Sequence, residues 1–139
     1  MIKKLNITKI SLFLALLVFA GCGGNVNLKG KVLFSDDKSP VSVGTICFET
    51  DTFLARGDLK PNGTFVVGSL RSRDGLPPGT YRVYFSGVHE ALGYDSAGQA
   101  IYKPLIDTKL ANGSTSGITL DVTSSTKYFE IEVDRYTAK

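Results

Sequence analysis

Leu76-Pro77-Pro78-Gly79-Thr80-Tyr81-Arg82-Val83-Tyr84-Phe85-Ser86 is the stretch from which the fold is read. Tyr81, Val83 and Phe85 alternate with Arg82, Tyr84 and Ser86, so a strand here places the first three on one face and the others on the opposite face. Pro78 and Gly79 suit the two central positions of a type II turn leading into it. The same period of two recurs on either side, and nowhere beyond residue 27 does a helical period persist for a useful length.

Upstream, Leu28, Gly30, Val32 and Phe34 alternate with Lys29, Lys31 and Leu33 to give a first strand, followed by a turn at Ser35-Asp36-Asp37-Lys38-Ser39-Pro40 whose residues bond their own backbone. A second strand runs near Val43 to Glu49, with Ile46 and Phe48 on one face. A weaker third covers Phe53 to Leu59 and enters Lys60-Pro61-Asn62-Gly63, which predicts a hairpin to Thr64-Phe65-Val66-Val67. Downstream, Ile118, Leu120 and Val122 alternate with Thr119 and Asp121. After Ser124-Ser125-Thr126, Phe129, Ile131 and Val133 alternate with Tyr128, Glu130 and Glu132. Between these lies a long stretch, Val88 to Gly117, with weak periodicity and one short candidate strand at Gln99 to Lys103. A connection of that length inside a compact domain is unusual and often functional. About seven amphipathic strands predict an all-β, seven-stranded antiparallel β-sandwich with Greek-key connections, occupying residues 28–139.

The N-terminus has a different grammar. Lys3, Lys4 and Lys9 precede an apolar run from Ile10 to Ala20, which ends at Ala20-Gly21-Cys22. A charged region, an apolar region and small residues in that order form an export signal over residues 1–21. The apolar run is too short for the roughly 20 residues that span a bilayer. Removing these three lysines from the 16 basic residues of the chain leaves 13 against 13 acidic residues. The exported part is therefore formally neutral, with scattered charges, which excludes a nucleic-acid footprint. Its length suits one domain.

Phe19-Ala20-Gly21-Cys22 resembles the lipobox of bacterial lipoproteins, with phenylalanine where leucine is usual. The resemblance implies diacylation of Cys22 and a mature N-terminus there, with residues 22–27, including Gly23-Gly24-Asn25, as a flexible tether. It further implies a cell-envelope location held by lipid, in the outer membrane on its periplasmic or surface face, since glycine rather than aspartate follows the cysteine. The alternative is ordinary cleavage after Ala20 and a secreted soluble domain.

The ordered set Lys29-Gly30-Lys31-Val32, Pro40-Val41, Asn62-Gly63-Thr64-Phe65, Pro77 to Val83, Lys103-Pro104-Leu105-Ile106 and Ser116 to Val122, behind a lipobox, resembles small planctomycete-type lipoproteins. Those carry a transthyretin-like or carboxypeptidase regulatory-like domain, which implies a prealbumin-like sandwich and almost nothing about activity. The zinc carboxypeptidase of that name uses a His-x-x-Glu motif and a second histidine, whereas this chain has one histidine, His89, followed directly by Glu90. The transthyretin-like hydrolase of purine breakdown ends in Tyr-Arg-Gly-Ser, and this chain ends Arg135-Tyr136-Thr137-Ala138-Lys139.

Few residues suggest chemistry. His89 with Glu90 and Asp95 is either a partial metal or acid–base set or a solvated loop, and one histidine falls short of a zinc site. Asp95-Ser96-Ala97-Gly98 reads as a hairpin tip rather than a calcium loop. Cys47 is either a buried small hydrophobe or a reactive thiol. Tyr84, Tyr94, Tyr102 and Tyr128 are candidate contacts for a ligand or partner, or simply good strand residues. The sequence thus predicts no catalytic residues, metal or cofactor, and a non-enzymatic structural or protein-interaction module. Its partners are the membrane, through lipid on Cys22, and envelope proteins or glycans; a glycan- or small-ligand-binding module is the alternative.

Overall fold

A computed structural model describes residues 24–139. The export signal, Cys22 and Gly23 lie outside the described residues. Within them the chain forms β1 (Lys29–Phe34), β2 (Thr45–Glu49), β3 (Leu54–Asp58), β4 (Thr64–Val66), β5 (Gly79–Ser86), β6 (His89–Tyr94), β7 (Ala100–Pro104), a short 3-10 helix (Thr108–Ala111), β8 (Ile118–Val122) and β9 (Tyr128–Val133). A four-stranded sheet in the order β3-β2-β5-β8 packs on a three-stranded sheet in the order β4-β1-β9, and β6-β7 form a separate two-stranded hairpin. The sandwich therefore has the seven strands expected, and the hairpin is additional.

The inward residues meet in one core. Val32 of β1, Ile46 and Phe48 of β2, Phe65 of β4, and Val83 and Phe85 of β5 are all buried there. The Phe48 ring sits 6.0 Å from that of Phe65 and 6.3 Å, edge-on, from that of Phe129, so it joins the two sheets. Tyr81 is buried too; its hydroxyl donates to the Pro77 carbonyl at 2.7 Å, satisfying the one polar atom on an otherwise apolar face. Gly30 is required by packing: a Cβ there would overlap the Phe129 carbonyl and lie 2.7 Å from the Phe65 ring.

Three expectations need correction. Gly79 is not the centre of a tight turn but the first residue of β5, opposite Val122, with an extended φ of 159°. The Lys60–Gly63 turn does form, with Gly63 at φ +79° and Lys60 N–H donating to Thr64 at 2.9 Å. Yet β4 pairs along its length with β1 in the other sheet, and β3 bonds to the chain that follows β4 where Arg56 and Gly68 exchange backbone hydrogen bonds. The spatial order β5-β2-β3-β4 that results is a Greek key. Lastly, not every pair is antiparallel: β1 and β9 run parallel, Lys29 opposite Tyr128 through Phe34 opposite Val133. The chain crosses from β8 to β9 at the end where β1 begins, so β9 must set out in the same direction as β1.

These registers define two ends. At the base, Gly79 of β5 faces Val122, β1 and β9 start, and the incoming tether is fixed where Val26 and Leu76 exchange hydrogen bonds of 2.7 and 3.1 Å. At the crown, Ser86 faces Thr45 and the chain leaves β5 for the β6-β7 hairpin. β5 has eight residues, so at about 3.3 Å per residue the ends are about 25 Å apart.

Two substitutions test this packing. Phe48→Ala empties the contact between the sheets and is expected to cost about 3–5 kcal/mol. Gly30→Ala inserts a methyl where none fits and is expected to cost about 1–3 kcal/mol. Both should lower the urea midpoint at unchanged slope.

Candidate functional site

The long connection of the sequence contains the hairpin of β6 and β7. Its register pairs His89 with Pro104, Glu90 with Lys103, Ala91 with Tyr102, Gly93 with Ile101 and Tyr94 with Ala100, with a bulge at Leu92. Directly opposed residues share a face, so His89, Ala91, Tyr94, Ala100, Tyr102 and Pro104 form one apolar and aromatic face. Glu90, Lys103 and Ile101 lie on the other. The tip is held by Asp95, whose carboxylate accepts the Ala97 and Gln99 amides at 2.9 and 2.8 Å, while Gly98 takes φ +78°. Asp95 is therefore a turn residue. Glu90 points away from His89, so the three groups weighed as a metal or acid–base set are not brought together.

His89 lies against Tyr102, with ring centroids 4.4 Å apart. Beneath them a cleft of about 220 Å3 runs between the hairpin root and the sandwich, walled by Phe85, Val88, Pro104 and Ile106 and by the 3-10 helix. The one carboxylate at its rim, Asp107, accepts the Lys109 amide at 3.0 Å as the helix cap. Farther out, Leu92, Tyr94, Ile101 and Tyr102 are all exposed, Tyr94 by 77%. Among the described residues neither outer edge of the hairpin pairs with another strand.

The crown from which the hairpin projects is firmly tied. Arg135 lies 3.7 Å from the centre of the Phe34 ring and donates to Asp36, Asp37 and Ser39 at 2.8–2.9 Å. Hydrogen bonds from Ser39, reinforced by Arg135, hold the Asp37 carboxyl far below the usual carboxylate range. Sequence pattern alone did not single out this clamp, because its partners are about a hundred residues apart.

The four candidate tyrosines do not form one platform. Tyr94 and Tyr102 share the hairpin face. Tyr84 is half-buried on the outer face of the four-stranded sheet, and Tyr128 stands on β9 at the base, its hydroxyl donating to Glu130 at 3.0 Å. The exposed Leu92, at the bulge, and Ile101, on the hairpin's other face, are not singled out by sequence, where weak periodicity hides the strands that carry them.

Cys47 alternates out of phase with Ile46 and Phe48 and so faces outward, yet it is buried because Tyr84 and Arg56, its cross-strand neighbours, cover it. Burial pushes its thiol pKa up. It should therefore remain protonated and resist alkylation at neutral pH in the folded chain, reacting only once denaturant is added; peptide mass at Cys47 reads both states. Rapid labelling of the folded protein would contradict this placement.

No protein-family model matches the chain, and no curated protein matches it. Among solved structures it is similar to BcpA, the major pilin subunit of Bacillus cereus, with a TM-score of 0.47 at 10% identity, covering 82% of this chain and 30% of that one. It is also similar to a 9R-lipoxygenase from Cyanothece PCC8801, with a TM-score of 0.38 at 18% identity, covering 78% of this chain and 16% of that one. This chain thus spans less than a third of either neighbour, and at these scores neither likeness bears on what it does.

Proposed function

We propose that this chain is a non-enzymatic lipoprotein of the cell envelope, anchored through acylated Cys22, whose β6-β7 hairpin binds an envelope protein. The supporting observation is the opposition of the two ends: residues that follow Cys22 join the sandwich at the base, and the exposed hairpin leaves it at the crown. An anchor at one end would leave the aromatic hairpin facing away from the bilayer. In this reading the sandwich is the transthyretin-like or carboxypeptidase regulatory-like spacer that the sequence resembles, and the outer membrane is its site.

A protein partner is favoured over a glycan or small ligand. The cleft at the hairpin root, about 220 Å3, is smaller than the 300–1,000 Å3 usual for ligand pockets, and its one carboxylate, Asp107, is taken up in capping the 3-10 helix. The hairpin instead offers unpaired strand edges beside exposed Leu92, Tyr94 and Tyr102, a combination suited to strand addition with side-chain anchors. Nor do His89 and its neighbours supply a nucleophile and base in contact.

Photocrosslinking in the native envelope tests the proposal. A crosslinker replacing Tyr94 should give a discrete protein adduct that Tyr102→Asp abolishes without changing the melting temperature, and one replacing Tyr128 should give none. Equal adducts from both positions, or loss of a saccharide-induced shift in Tyr102→Ala in place of any protein adduct, would contradict it.

A further inference from the structure

At the base, Gly68 to Gly75 form a loop that closes on itself around Asp74. The Asp74 carboxylate accepts the backbone amides of Ser69, Leu70 and Arg71 at 2.5, 3.2 and 3.0 Å, together with the Ser69 hydroxyl. These bonds hold the carboxyl pKa below its usual value, the Ser69 amide contributing most. Arg73 adopts φ +65°, a conformation uncommon for a residue with a side chain. The product of this ordering is a leucine standing in solvent: Leu70 is 95% exposed, with Arg71 and Arg73 following it in the chain.

The same loop is fastened to the tether. Asn25 donates its side-chain amide to the Asp74 carbonyl at 3.0 Å, and Val26 pairs with Leu76 just beyond the loop. Cys22 is three residues before Asn25, and three extended residues reach at most about 11 Å. A lipid on Cys22 would therefore hold Asn25, and with it the Asp74 end of this loop, close to the anchor. Cations without ion-pair partners stand at this end as well. Lys29 and Lys127 line the groove beside Asn25, and among the described residues neither they nor Arg71 and Arg73 pair with a carboxylate. The acids at this end lie elsewhere than on these four: Glu49 and Asp51 share Arg82, while Asp121, Glu130 and Asp74 accept from the Thr80 hydroxyl, the Tyr128 hydroxyl and the loop's own amides.

From this juxtaposition of tether, Leu70 and unpaired cations we infer that the Gly68–Gly75 loop is a second membrane contact, inserting Leu70 among acyl chains while Arg71 and Arg73 meet anionic headgroups. It rests on the anchor reading for its proximity to the bilayer. Its consequence is orientation, since two contacts at the base restrict the tilting that a glycine-rich tether alone would permit.

The chain has no tryptophan, so Leu70→Trp is a unique reporter. The purified mature protein, its acyl mass measured first, is mixed with vesicles of phosphatidylcholine containing phosphatidylglycerol. The Leu70→Trp emission should move to the blue and be quenched by brominated acyl chains, less so on neutral vesicles, whereas Tyr94→Trp at the crown should respond to neither. Acylated protein whose Leu70→Trp emission stays unshifted overturns the loop contact and leaves the anchor standing. Protein without acyl mass overturns the anchor; a shift on anionic vesicles then still supports the loop, and no shift overturns it too. A response equal on neutral and anionic vesicles removes the role given to the arginines.

Discussion

The pairing of β5 on both its edges is the constraint from which the rest of the molecule follows. Its inward residues, Tyr81, Val83 and Phe85, are buried, and its backbone is bonded to β2 on one side and β8 on the other. A one-residue slip would turn all three outward, so the register is strongly fixed. The tether joins immediately before β5 begins, through Val26 and Leu76, and the hairpin starts three residues after it ends. One strand therefore sets the separation of the two ends, and the proposed function depends on that separation.

The parts of the fold legible in the sequence are those where burial on one face imposes a period of two. β1, β5, β8 and β9 each turn alternate residues inward, as β2 does with Ile46 and Phe48 while Cys47 is covered from outside, and their pattern survives as alternation of residue type. The hairpin does not bury a face, so its sequence, His89-Glu90-Ala91-Leu92-Gly93-Tyr94, carries no such record; only the second arm, near Gln99 to Lys103, was visible as a candidate strand. Partner choice was less legible still. Lys60-Pro61-Asn62-Gly63 encodes a turn, but whether β4 then lies on β3 or crosses to β1 is decided by where Phe65 is buried, beside Phe48 and over Gly30. Direction, as in the parallel β1-β9 pair, depends on how many times the chain has crossed between sheets.

Two candidate sites illustrate how local residue type can mislead. His89, Glu90 and Asp95 are close in sequence and chemically suggestive, yet strand alternation separates the first two and the turn uses the third. Tyr84 and Tyr128 were grouped with Tyr94 and Tyr102 by type, while the sandwich spreads them over different surfaces. The net neutrality of the exported chain is similarly coarse. Positive and negative groups cancel in the sum without pairing one to one: among the described residues Lys29, Arg71, Arg73 and Lys127 at the base have no carboxylate within ion-pair distance.

Energy transfer to acceptor lipids, from dyes placed at Ser72→Cys and at Ala97→Cys of acylated protein on vesicles, tests the opposition of the two ends most directly. Transfer should be strong from Ser72, in the basal loop, and weak from Ala97, in the hairpin tip beyond the crown and so roughly 25 Å or more farther from the bilayer. Comparable transfer from the two positions would mean that the domain lies on its side, and would contradict an anchor and a hairpin at opposite ends.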